Sequence, residues 1–158
     1  LEKLLGKLNE FMKLKIYLFR KMLYILVFAW MIVIFYFSHQ PLNKSSELSE
    51  GISVLIVDKL EGILKTDLNN ELFELLIRKS AHFTEYMILG VLMYIAFSIN
   101  KVFGIKRVLV CLIICVLYAI SDEIHQYFIP GRAARVADMI IDSVGAILGI
   151  FMTTSFMK

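Results

Sequence analysis

Four apolar runs, each close to the length of a bilayer crossing, constrain this chain more than any other feature. Hydrocarbon offers no partner to backbone N–H and C=O groups, so runs of this kind fold as helices that satisfy their own backbone. Met22 to Phe37 holds 16 residues without a charge. Ile16 to Phe19 and Ser38 lengthen it to a span of about 20 residues. Ser80 to Ile99 is interrupted only by His82 and Glu85, Val108 to Ile129 is uncharged as far as Asp122, and Met139 to Met157 carries Asp142 alone. Hydrophobic residues make up 59% of the 158, against about 45–50% in soluble domains, and the mean hydropathy is +0.74. The expected fold is an all-α integral membrane protein, a four-transmembrane-helix bundle with an amphipathic extracytoplasmic helix between spans one and two. No large soluble catalytic domain is expected within these 158 residues, about half of which the four runs occupy.

The expected organisation is a basic cytoplasmic segment, residues 1–21, followed by one transmembrane domain, residues 22–158. Leu1 to Phe11 read as an upstream or appended segment, with Met12 as a natural start. Leu4, Leu5, Leu8 and Met12 have the spacing of an interfacial helix. Lys13, Lys15, Arg20 and Lys21 also look like the charged region of a signal peptide, but no small-residue cleavage site follows, since Phe35, Tyr36 and Phe37 occupy its place. An uncleaved span is expected. Cys111 and Cys115, four apart on one helix, read as packing residues.

Charge bias orients the bundle. Six Lys/Arg against two acids precede span one, and Lys101, Lys106 and Arg107 join spans two and three, so the positive-inside rule places both termini in the cytoplasm. Ser38 to Lys79 carries five Lys/Arg against seven Asp/Glu and falls outside. Within it, Leu48, Ile52, Leu55, Ile56, Leu60, Ile63 and Leu64 recur at helical spacing, with Ser45 or Ser46 as the expected cap. Thr66 to Asn70 reads as a turn and Glu71 to Arg78 as a short helix entering span two.

That orientation gathers the polar residues of three spans at one outer face. Lys79, His82 and Glu85, with Tyr86, share the first turns of span two; Asp122, His125 and Gln126 stack near the end of span three, with Glu123 on its flank. Asp138 and Asp142 open span four, after the Pro130-Gly131 turn, Arg132 and Arg135. Intramembrane charges cost roughly 2.5–3.5 kcal/mol each on insertion scales, which makes such residues functional candidates by default. Glu123 alone reads as a solvated helix end, and Lys79 alone as a snorkelling side chain. Arg132 invites Asp138, Asp122 or a bound anion as partner, and Asp142 invites Lys79, Arg132 or His82. His82 and Glu85 make half of a metal-ligand pair, and no metal or cofactor is expected without further ligands. Gly145 and Gly149 form a small-residue ridge for close helix packing.

Lys79-Ser-Ala-His82-Phe83-Thr-Glu85-Tyr86, Tyr118-Ala-Ile-Ser-Asp122-Glu123-Ile-His125-Gln126, Pro130-Gly131-Arg132 and Asp138-Met-Ile-Ile-Asp142-Ser-Val-Gly145 with Gly149 resemble the VanZ-like family. Phe35-Tyr36-Phe37-Ser38-His39-Gln40-Pro41 matches the family's pattern at the end of the first span, and the resemblance runs from about Met22 to Phe151. It implies that Lys79, His82, Glu85, Tyr86, Asp122, Glu123, Gln126, Arg132, Asp138 and Asp142 are recurrent polar positions. It also implies a bacterial cell-membrane protein that lowers susceptibility to teicoplanin-like glycopeptides, without supplying a reaction. Ala133-Ala134-Arg135 departs from the smaller and more polar residues common in relatives.

Three functions stay open. The first is a non-enzymatic envelope protein that binds or excludes a lipid-anchored ligand, a lipid-linked cell-wall precursor or a lipoglycopeptide. The second is a membrane enzyme acting on a phosphate-bearing lipid-linked substrate. There His82 or His125 would be base or nucleophile, Glu85, Asp122 or Glu123 would orient it, and Lys79 with Arg132 would neutralise the phosphate. The third is a small transporter or flippase, for which a homodimer is expected. Membrane lipids are expected neighbours in every case, and nucleic acid in none.

Overall fold

In a computed structural model that describes residues 2–64, 69–99 and 104–157, every regular element is a helix. In chain order these are α1 (Glu2–Ser38), α2 (Leu42–Leu64), α3 (Asn70–Ser98), α4 (Ile105–Tyr127) and α5 (Val136–Phe156). Among the described residues α1, α3, α4 and α5 are long and apolar enough to cross a membrane, which is the four-span bundle expected from the sequence.

Several boundaries differ from expectation. The basic segment before span one continues the same helix, so α1 runs 37 residues without a break. At 1.5 Å per residue this is about 55 Å, nearly twice the hydrocarbon thickness of a bilayer. Its N-terminal side chains, Leu4 and Leu8 among them, stay exposed, whereas Leu23, Val27 and Ile34 enter the core. At the start of α2 the first helical bond is accepted by the Pro41 carbonyl from the Ser45 amide at 3.2 Å, so Ser45 and Ser46 lie inside the helix rather than capping it. Leu42 also donates its amide to the Pro130 carbonyl at 3.4 Å, tying the α1–α2 junction to the α4–α5 loop. The expected turn at Thr66 to Asn70 and the basic residue Lys101 fall largely outside the described residues. Asn69 caps α3 by accepting from the Leu72 amide at 3.1 Å, and the short helix expected at Glu71 to Arg78 is simply the first two turns of α3.

The bundle is organised around α3 and α5, its most extensive pairing. They run parallel, and glycine permits their backbones to touch. A Cβ on Gly145 would collide with the Phe83 carbonyl, one on Gly149 with the Met87 carbonyl, and one on Gly90 with the Ala146 carbonyl. Small residues that allow such approach are the usual cement of membrane helices, where no hydrophobic driving force separates helix from lipid. α4 packs beside them with Cys111, Cys115 and Ala119 fully buried, the packing role expected for both thiols. α1 closes the bundle: the Tyr118 hydroxyl donates to the Met31 carbonyl at 2.5 Å, and the Trp30 indole to the Glu85 carbonyl at 2.9 Å.

α2 lies against α3 through Ser49, Ser53 and Val57, all buried, while Leu55 and Ile63 on its other sides are 66% and 75% exposed. Its small polar seam therefore faces the protein and most of its aliphatic side chains face outward.

Because the clash at Gly149 is with backbone, Gly149→Ala is expected to destabilise the folded protein by about 1–3 kcal/mol. Gly62→Ala, with nothing within 4 Å of the added carbon, is expected to be neutral or slightly stabilising. Reversible unfolding of both variants in mixed micelles measures the difference.

Candidate functional site

The close approach of α3 and α5 sets their polar residues in register. One turn before the Gly145 contact, Asp142 Oδ1 lies 3.6 Å from His82 Nδ1. One turn further out, Asp138 forms an ion pair with Lys79, both side chains largely buried. Lys79 is thus held inward rather than snorkelling. Of the three partners open to Asp142, His82 is the one that faces it, at 3.6 Å just beyond hydrogen-bonding distance.

α4 contributes from the adjoining side. Asp122 and Gln126 are buried one turn apart, and the Gln126 amide nitrogen donates to Asp122 Oδ2 at 3.2 Å. The other end of that amide accepts from Arg132 Nη1 at 3.1 Å, and Arg132 Nη2 donates to the Phe37 carbonyl at 3.4 Å. Arg132 therefore bonds neutral oxygens rather than Asp138 or Asp122, the carboxylates expected for it. Burial works against the charge of its guanidinium, and the nearby Asp122 carboxylate works in its favour. Glu123, which taken alone would read as a solvated helix end, is fully buried with the rest of the group, and its Oε2 accepts the backbone amide of Arg135 at 2.8 Å. Tyr86 is fully buried as well.

His125 separates from the group it was expected to join. Its Nε2 lies 3.1 Å from His39 Nδ1, one ring donating to the other, and Phe35 packs against it with centroids 4.5 Å apart. Sequence spacing placed His125 beside Asp122, but a helix turns 100° per residue, and the bundle uses that angle to put Asp122 inside and His125 at the α1 boundary.

Two concavities open around these residues. One, of about 120 Å³, is lined by Arg78, Lys79, Arg132 and Arg135 with His82, Gln126 and Asp138. The other, about 320 Å³ and mainly apolar, lies under α2 between Phe37, Ile52, Ile77 and Ala81. Arg78, His82 and Arg132 line both. Arg78, which sequence reasoning passed over, is held by Glu74 one turn earlier and donates to Ser46 Oγ at 3.4 Å. Its adjacency to Lys79 was the available signal. His39, also missed, was visible only as part of the family pattern at the end of span one.

As for metal, His82 Nδ1 and the carboxylates of Asp122 and Asp142 offer ligand atoms all within 4.8 Å of one another. The histidine thus finds its ligand company on α4 and α5, not in Glu85 on its own helix.

Fold and site together define a small multi-pass membrane protein with a partly buried polar cluster at one end of its bundle. The chain belongs to the VanZ/LLP1 family, whose model matches residues 23–157. No curated protein and no solved structure matches it.

Breaking a buried ion pair from one side leaves a stranded charge, which costs more than replacing both partners. Lys79→Met is therefore expected to destabilise by about 2 kcal/mol, and Lys79→Met with Asp138→Leu by less than either single change. A double-mutant cycle of unfolding free energies in micelles tests this.

Proposed function

We propose that this protein is a VanZ-like envelope protein of the bacterial cell membrane that binds an amphiphile with an anionic head, a lipid-linked cell-wall precursor or an acyl-tailed glycopeptide, and so lowers susceptibility to teicoplanin-like glycopeptides. The observation that carries this reading is the sharing of Arg78, His82 and Arg132 by a basic concavity and an apolar one. Four cationic side chains border the first concavity; Arg78 and Lys79 are paired with Glu74 and Asp138, and Arg132 and Arg135, which form no ion pair among the described residues, suit a phosphate or carboxylate, with arginine forming directional bonds to its oxygens. The apolar concavity beside it suits the start of the tail, the remainder lying in the bilayer.

The family membership supports an envelope role linked to glycopeptide resistance at most; ligand and site are our reading. In that reading residues 22–158 form the transmembrane domain and 1–21 a basic cytoplasmic segment. The charge bias supports cytoplasmic termini and an outward-facing site, with the aliphatic side of α2 resting on the outer leaflet. A hydrolytic alternative draws on one observation, the imidazole of His82 set 3.6 Å from the buried Asp142 carboxylate, an arrangement that can orient a base.

Two measurements test the reading. In intact cells Ala134→Cys should react with a membrane-impermeant maleimide and Lys7→Cys should not, since Ala134 is exposed and the native Cys111 and Cys115 are buried. The reverse pattern would invert the orientation. In nanodiscs the protein should retain undecaprenyl phosphate in preference to undecaprenol, and Arg132→Glu should weaken that retention at least tenfold, about 1.4 kcal/mol. Equal retention of both lipids, or by both proteins, would remove the binding reading, and release of inorganic phosphate would replace it with the hydrolytic one.

A further inference from the structure

We propose that His82, Asp122 and Asp142 form a buried site for one divalent transition-metal ion of the zinc or manganese class. The inference concerns the protein's own side chains and holds whichever lipid the concavities accept.

Three helices each supply one ligand: α3 gives His82, α4 gives Asp122 and α5 gives Asp142. Their nearest ligand atoms lie within 4.8 Å of one another, and His82 Nδ1 is 3.6 Å from Asp142 Oδ1. Around an ion bound at about 2.1 Å, tetrahedral ligands stand roughly 3.4 Å apart. One edge of the triangle is already near that value, and the others are at most 4.8 Å.

The second observation is independent of proximity. Asp142 has no exposed surface, and neither of its carboxylate oxygens has a hydrogen-bond partner. Asp122 Oδ1 and His82 Nδ1 are likewise buried and unpartnered. The Ser38 hydroxyl lies within reach of Asp122, so the site's claim on an ion rests on Asp142, both of whose oxygens are unpartnered. Buried polar atoms are almost always bonded, so the unpartnered carboxylate of Asp142, with ligand atoms of His82 and Asp122 within 4.8 Å, calls for a partner.

Local charge points to what that partner is. Lys79 and Arg78 are committed to Asp138 and Glu74, and Arg132 donates to Gln126 and to the Phe37 carbonyl. Among the described residues no lysine or arginine forms an ion pair with Asp122 or Asp142. Two carboxylates facing a dication and one neutral imidazole balance. Nitrogen with two carboxylate oxygens is a borderline-hard donor set that suits zinc or manganese and lacks the thiolates of softer sites.

The supporting shell has the form that metal sites use. Asp122 keeps one oxygen for the ion because its other oxygen is fixed by Gln126, which Arg132 in turn holds. Three protein ligands leave a coordination position open. His82 lines both concavities, so that position adjoins the space where an anionic head would sit.

The test uses the full chain, chelator-stripped in detergent micelles and titrated with Zn²⁺ and with Mn²⁺, with bound metal counted after desalting. About one ion per chain is expected, together with a rise in unfolding temperature. Asp142→Asn and Asp122→Asn should each weaken binding at least tenfold. His82→Gln should do the same and should also change the visible spectrum of the Co²⁺-loaded protein. The last readout keeps the test decisive if a carboxamide variant fails to fold. His39→Ala with His125→Ala is the critical control, because that exposed imidazole pair is the competing place for a metal. Binding that survives in His82→Gln but vanishes in the double variant overturns the proposal. So does a folded wild-type protein that takes up no ion at millimolar metal.

Discussion

The backbone contact between α3 and α5 is the constraint on which the rest of the molecule depends. Gly145 and Gly149 let α5 sit on the carbonyls of Phe83 and Met87, and Gly90 returns the contact to Ala146. Helices this close have no freedom to slide past one another, so the register that seats the glycines also seats Asp142 opposite His82 and Asp138 opposite Lys79. The polar cluster is expensive to bury in a membrane. It is tolerated because apolar packing deeper in the bundle fixes where each charge finds its partner.

α4 and α1 then complete what α3 and α5 begin. α4 sends Asp122, Glu123 and Gln126 inward from one end of a helix whose other contacts are Cys111, Cys115 and Ala119. α1 supplies carbonyl oxygens rather than side-chain charges: Phe37 receives Arg132 and Met31 receives Tyr118. The cluster is therefore joined to the first span through main-chain atoms.

Much of this was legible in the sequence because the bilayer simplifies the code. Apolar length marked the spans, Lys/Arg bias suggested which polar residues share a face, and the glycine spacing marked α5 as a close-packing helix. The metal-capable set was not legible: His82 is 40 residues from Asp122 and 60 from Asp142, and helical periodicity says which residues share a helix face but not which faces meet. The same limit explains His125, whose i, i+3 spacing from Asp122 looked like common purpose. It explains Glu123 too, since a flanking position on an isolated helix becomes an interior one when a loop folds over it. α2 was read correctly as a helix from its periodicity. That Ser49, Ser53 and Val57 form its buried side while Leu55 and Ile63 stay exposed is a matter of tertiary packing that a repeat of apolar residues cannot disclose.

The loop between α4 and α5 holds Glu123 through the amide of Arg135, not through a side chain. A main-chain donor is the same in every residue except proline, so this latch is blind to spelling. Ala133-Ala134-Arg135 can depart from the family pattern while the cluster stays shut from that side. Variation there is free to change the side chains at the rim of the basic concavity without loosening that latch.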